Sequence, residues 1–117
     1  DAILIKENHI QAAGSISAAL QAARALDAAV SVEIEVEGLQ QLGEALAAGA
    51  RQVLLDNFSL EDLRRAAALN NGRARLEASG NVSLDTVRAI AQTGVDAISV
   101  GELTKHLRAV DLSMRFQ

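Results

Sequence analysis

Val32-Glu33-Ile34-Glu35-Val36-Glu37 alternates apolar residues with carboxylates at a period of two. That is the period of a β-strand, so Val32, Ile34 and Val36 face one way and Glu33, Glu35 and Glu37 the other. Flanking segments read as helices, and strands between helices belong to a parallel sheet that is largely shielded from water. Three carboxylates there need cations, hydrogen-bond donors or a wet cavity. Other groups with chemical potential fall at the ends of similar apolar runs: Lys6 after Ala2-Ile3-Leu4-Ile5, Asp56 after Gln52-Val53-Leu54-Leu55, Ser79-Gly80-Asn81 after Arg75-Leu76-Glu77-Ala78, and Ser99-Val100-Gly101 after Ala97-Ile98. Each has a plain reading as well. A lysine at a strand end can snorkel to water, Asp-Asn is ordinary turn chemistry, and Ser-Gly-Asn is a common turn. What favours a site is the shared location, because ligands of parallel α/β proteins bind at the carboxyl ends of the strands, and small residues before a helix expose backbone N–H groups to phosphate.

The elements that must position these groups follow in a regular order. Ala2–Lys6 reads as a strand, followed by the polar run Glu7-Asn8-His9. The segment from about Ile16 to Ala29, rich in Ala and Leu and free of proline, reads as a helix with Ser15 as its cap. The acidic strand at 32–37 leads to Leu39, Leu42 and Leu46 at helical spacing, ended by Gly49. The third strand, Gln52–Asn57, precedes a helix that runs to Leu69, with Ser59 and Asp62 approximating a capping box and Asn70-Asn71-Gly72 ending it. The fourth strand, Arg75–Asn81, precedes a helix at about 84–93 capped by Ser83. The fifth, Ala97–Gly101, precedes a short helix from Glu102 to Ala109 and a tail from Asp111 to Gln117.

Five βα units in succession, with no linker or shift of composition, predict one α/β domain over 1–117 with a parallel sheet. It is expected either as a partial (β/α) barrel or as an open flavodoxin-like three-layer sheet. A partial barrel would leave sheet edges open, and open edges pair with other chains, so a homo-oligomer is expected. The start at Asp1, immediately before a strand, suggests a piece of a longer chain or an engineered module.

Composition narrows the function. Half of the chain is apolar but only 2% is aromatic, so the core is built from Ala, Leu, Ile and Val. A net charge of −4 and the lack of an aromatic stacking surface argue against a nucleic-acid partner. There is no cysteine, which removes disulfides and thiolate metal sites. No apolar run approaches the roughly 18 residues of a membrane span, and an acidic chain of this kind suits the cytoplasm. His9 and His106 have no second ligand at metal spacing, so surface or capping roles suit them better.

Taken together and in order, Leu4-Ile5-Lys6-Glu7-Asn8-His9, Val32–Glu37, Leu55-Asp56-Asn57, Leu76–Asn81, Thr93-Gly94-Val95-Asp96, Val100-Gly101 and Ala109–Met114 resemble quinolinate phosphoribosyltransferase, the carboxylating nicotinate-nucleotide pyrophosphorylase. The resemblance spans Asp1 to Gln117. It implies phosphoribosyl transfer from phosphoribosyl pyrophosphate to quinolinate, with loss of pyrophosphate and carbon dioxide, to give nicotinate mononucleotide for NAD synthesis. It further implies that Lys6 contacts substrate, that Glu35 and Asp56 are catalytic and serve the ribose hydroxyls and, indirectly, Mg²⁺ through its pyrophosphate, and that Ser79, Gly80 and Gly101 hold the 5′-phosphate. Glu102 departs from the family's usual small residue, and its carboxylate would repel phosphate unless it points away. The amino-terminal domain and first barrel strands of the family, which carry the basic residues that grip quinolinate, have no counterpart in these 117 residues. The rival expectation is therefore a non-catalytic barrel module that self-associates and binds phosphate weakly.

Overall fold

The computed structural model of the protein describes residues 2–26, 31–80, 83–100 and 108–111, the last four and Val100 by backbone alone. Its elements in chain order are β1 (Ala2–Ile5), α1 (Glu7–Ala13), α2 (Ile16–Leu26), β2 (Ser31–Val36), α3 (Leu39–Ala47), β3 (Gln52–Asp56), α4 (Leu60–Asn70), β4 (Arg75–Ser79), α5 (Leu84–Ala91), β5 (Ala97–Val100) and β6 (Arg108–Asp111). They form one sheet in the order β1-β2-β3-β4-β5-β6. The first five strands are parallel, and β6 runs antiparallel to β5.

Strand periodicity divides the sheet into two unlike faces. Ile5, Ile34, Val36, Val53, Leu55, Leu76, Ala78 and Ile98 point to one side and join a single buried cluster with Leu20, Leu42, Leu63 and Ile90 of the helices. The helices lie side by side in chain order, α1 on α2, α2 on α3, α3 on α4 and α4 on α5. Sequential strand order is what makes this so. Right-handed crossovers that always move one strand in the same direction place every helix on the same face, whereas a flavodoxin-like sheet reverses direction and covers both. The arrangement is therefore two layers, in the manner of a barrel sector, and not the three-layer sheet held open as the alternative.

Three expected caps form as the residue types require. Ser15 Oγ accepts from the Ala18 N–H at 3.0 Å, Ser59 Oγ from Asp62 at 3.1 Å and Ser83 Oγ from Thr86 at 3.3 Å. Two elements differ from expectation. The run after Lys6 is a helix, α1, whose entry is held by His9: its Nδ1 accepts the Lys6 N–H at 3.0 Å. Gly14, at φ +97°, ends it. Arg108 and Ala109, expected at the end of a short helix, belong instead to β6, whose Val110 and Asp111 pair with Ile98 and Ala97. A helix-compatible run of four residues is turned into strand by an available sheet edge. Residues 102–107, the rest of that expected helix, lie outside the described residues.

Candidate functional site

The face of the sheet away from the helices carries the polar residues. Reading across the register, Leu4, Glu33, Gln52 and Arg75 form one row, and Glu35, Leu54 and Glu77 the next. Asp56 and Ser79 pair at the carboxyl ends of β3 and β4. Among the described residues no helix covers this face, yet Leu54, Glu77, Ala97 and Ser99 on it are buried.

At the rim formed by the strand carboxyl ends, the structure brings together Lys6, Glu35, Glu37, Asp56, Ser79 and Gly80. Glu35, Glu37 and Asp56 each place one carboxylate oxygen within 4.8 Å of the others. Burial pushes the Glu35 carboxyl above its usual range, the facing Asp56 charge pushes it further, Lys6 draws it back and Glu37 adds to the rise. Lys6 lies one residue beyond the Ile5–Ile34 pair, level with Glu35 on the neighbouring strand. Ser79 Oγ donates to Asp56 Oδ1 at 3.4 Å. Such a cluster of hard oxygen ligands beside a cation suits a divalent ion or the hydroxyl and phosphate groups of a sugar phosphate.

Gly80 is fixed by contact as well as by torsion. Its φ is +107°, and a Cβ there would lie 2.2 Å from Asn57 Oδ1 and 3.0 Å from the Asn57 backbone nitrogen. Asn57, itself left-handed at φ +57°, donates its N–H to the Ser79 carbonyl at 3.0 Å. The two turns after β3 and β4 are thus interlocked, and a cavity of about 200 Å³ lies beside them, bounded by Asn57, Phe58, Ser59 and Ser79. On the other flank, Gln41 accepts the Glu37 N–H at 2.7 Å and donates to Glu7 Oε2 at 3.1 Å, tying the turn after β2 to the one after β1. Gly101 and Glu102 lie outside the described residues.

Beneath the rim is a polar floor that spacing alone did not single out. Glu77, buried, meets Arg75 Nη1 at 3.3 Å through one oxygen and accepts from Ser99 Oγ through the other. Glu33 stands in the same field. Burial raises its pKa above the ordinary 4.5, Glu77 raises it further, Arg75 opposes and Glu35 adds. The signal was present in β4, where Arg75, Glu77 and Ser79 alternate as the acidic residues of β2 do. It was masked by the apolar look of Leu76 and Ala78 and by the short length of the run.

Comparison with known proteins gives the chain a family. Residues 1–115 match the family described as quinolinate phosphoribosyl transferase, C-terminal domain. A probable nicotinate-nucleotide pyrophosphorylase (carboxylating) of Bacillus subtilis is 43% identical over 97% of this chain and 40% of its own length. The human nicotinate-nucleotide pyrophosphorylase (carboxylating) is 38% identical over 97% of this chain and 39% of its own. The solved nicotinate-nucleotide pyrophosphorylase of Francisella tularensis superposes with a TM-score of 0.86 at 51% identity, over 95% of this chain and 40% of that one. The chain thus spans about two fifths of the length of the relatives it matches. Over that span fold and sequence agree, and the chain belongs to the quinolinate phosphoribosyl transferase family, as its C-terminal domain.

Proposed function

We propose that this domain supplies the ribose- and phosphate-binding half of a quinolinate phosphoribosyltransferase active site. The reaction joins quinolinate to phosphoribosyl pyrophosphate, with release of pyrophosphate and carbon dioxide, and yields nicotinate mononucleotide for NAD synthesis. The observation that carries this reading is the convergence of Glu35, Glu37, Asp56 and Ser79-Gly80 on one rim, with Lys6 beside Glu35. Departure of pyrophosphate leaves positive charge on the ribose, which Glu35 and Asp56 stabilise while accepting from its hydroxyls. The interlocked Ser79-Gly80 turn offers a hydroxyl and a backbone without side chain to the 5′-phosphate, with Gly101 as its partner. Lys6 meets an anionic group of the substrates.

The three clustered oxygens fit Mg²⁺ as well as they fit hydroxyls, and Glu35 and Asp56 would hold the ion that accompanies pyrophosphate. When bound, the ion offsets charge on the leaving pyrophosphate. Quinolinate itself is gripped by basic residues in the portion of the relatives that this chain does not span. The natural setting is the cytoplasm, where NAD precursors are made, with neither nucleic acid nor membrane as partner. Among the described residues no helix is long and apolar enough to cross a membrane.

The test is a chimera in which this chain replaces the corresponding segment of the Bacillus subtilis relative, assayed for nicotinate mononucleotide formation. Turnover is expected, and Glu35→Ala or Asp56→Ala is expected to lower it about a hundredfold or more. A chimera that turns over equally well with either substitution would remove these two residues from their assigned roles.

A second reading concerns the chain by itself. The uncovered polar face and the β1 edge, which has a strand partner on one side only among the described residues, favour a homo-oligomer that binds phosphate weakly without turnover.

A further inference from the structure

At the opposite end of the sheet, where β3, β4 and β5 begin, lies a cleft of about 690 Å³. Arg51, Arg73 and Arg75 line it with Asn70, Gly72 and Asp96. Three of the chain's nine arginines therefore meet in one cleft of a protein whose net charge is −4. From Arg75 to Ser79 the β4 backbone rises about 13 Å, so this cleft is separate from the strand-end rim.

Its walls are preorganised. Asn70, 4% exposed, uses both ends of its side-chain amide on Ala74, accepting the backbone N–H at 2.8 Å and donating to the carbonyl at 2.7 Å. Arg73 donates through Nη2 to the Leu69 carbonyl at 2.9 Å and through Nε to Asn70 at 3.2 Å, which closes the end of α4 and holds its guanidinium in place. Asp96, the one carboxylate of the lining among the described residues, accepts the Leu76 N–H at 2.8 Å and so directs one oxygen at backbone. Arg75 is anchored to Glu77. Arg51, exposed, has neither a carboxylate nor a carbonyl partner among the described residues. Among the described residues, a fixed guanidinium, a second one tethered nearby and a third without a partner leave more positive charge than the cleft neutralises.

We infer that this cleft is a binding site for a small dianion, a phosphate ester or a dicarboxylate, seated between the Arg51 and Arg73 guanidinium groups. The planar forks of arginine suit bidentate contact with either oxyanion, and a site whose groups are already held in place loses little entropy on binding. The inference does not depend on the activity proposed for the rim.

Inorganic phosphate, succinate and acetate are titrated into the isotope-labelled chain at constant ionic strength, and backbone amide shifts are read. Phosphate is expected to give saturable shifts at Gly72, Ala74 and Gly94. Arg51→Gln is expected to weaken them about tenfold, the loss of one charge-assisted contact, while Arg64→Gln on the outer face of α4 leaves them unchanged. Succinate that matches phosphate would assign the site to dianions in general, and succinate without effect would assign it to phosphate esters. The inference is overturned by shifts that rise linearly without saturation, by equal weakening in Arg64→Gln, by no weakening in Arg51→Gln, by acetate binding as tightly as phosphate, or by shifts confined to Ser79 and Gly80. That last result would support the rim alone.

Discussion

At the scale of single residues, burial and like charge act on Glu33 in the same direction, and the consequence for stability follows from linkage. Its folded-state pKa is raised above 4.5, first by burial and then by Glu77. In the window above 4.5 the folded form holds more proton than the unfolded form, so the Glu33 contribution to stability falls as pH rises through that window. Glu33→Gln is therefore expected to stabilise the fold at pH 7 and to flatten the pH dependence from about 4.5 upward, which urea unfolding at a series of pH values reads directly. A variant that is less stable than the parent at pH 7 would mean that Arg75 needs Glu33 more than the field suggests. Gly80 presents the opposite case, a residue defined by what it lacks. Gly80→Ala must both hold a left-handed backbone and displace Asn57, at a combined cost of about 3 kcal/mol. Gly43 of α3 has an open surrounding instead, and Gly43→Ala should stabilise by about 0.5–1 kcal/mol through helix propensity. The two substitutions, compared in one denaturation experiment, separate contact from propensity. The carboxylates of β2 were legible as one polar face because alternation marks which way each side chain faces. Asn57 as the neighbour that forbids a side chain at Gly80 was not, because two turns 23 residues apart meet only once the strands are in register.

At the scale of elements, the βα periodicity was legible throughout, and the caps at Ser15, Ser59 and Ser83 fell where short polar side chains stand before apolar runs. What escaped was context. The polar run of α1 carries only Ile10 as a buried anchor, too little for a helical stripe to declare itself in seven residues. Its signals were the acid in the first turn, the alanine pair and the glycine stop, with His9 folding back to accept the Lys6 N–H. His9→Ala is expected to cost about 1 kcal/mol, the scale of a lost cap, and to loosen the turn that carries Lys6. Thermal unfolding and the amide-exchange rate at Lys6 report the two effects; a variant with unchanged exchange there would separate the cap from the site. The strand β6 escaped for a related reason. Four residues carry no period of their own, and an edge of β5 decides their conformation.

At the scale of the whole molecule, one topological fact organises the rest. Strands that follow one another in order, joined by right-handed crossovers, must put the helices on one face and leave the other without them. That gives a chain with an apolar layer sealed by helices and an acidic rim at the strand ends. The same fact leaves unpaired backbone along β1 among the described residues, and a row of free N–H and C=O groups on a parallel strand invites another strand. Ala2 and Leu4, the β1 residues on the uncovered face, offer no charge to deter pairing, because the nearest one on that strand face is Lys6, beyond its end. The chain is accordingly expected to self-associate, with sedimentation equilibrium giving a mass that rises with concentration over the micromolar range. Leu4→Lys places a charge in the middle of that edge and is expected to shift the chain toward monomer with its far-ultraviolet circular dichroism unchanged. A parent chain that stays monomeric at every concentration would show that the β1 edge does not pair in solution, and Leu4→Lys would then leave the mass unchanged.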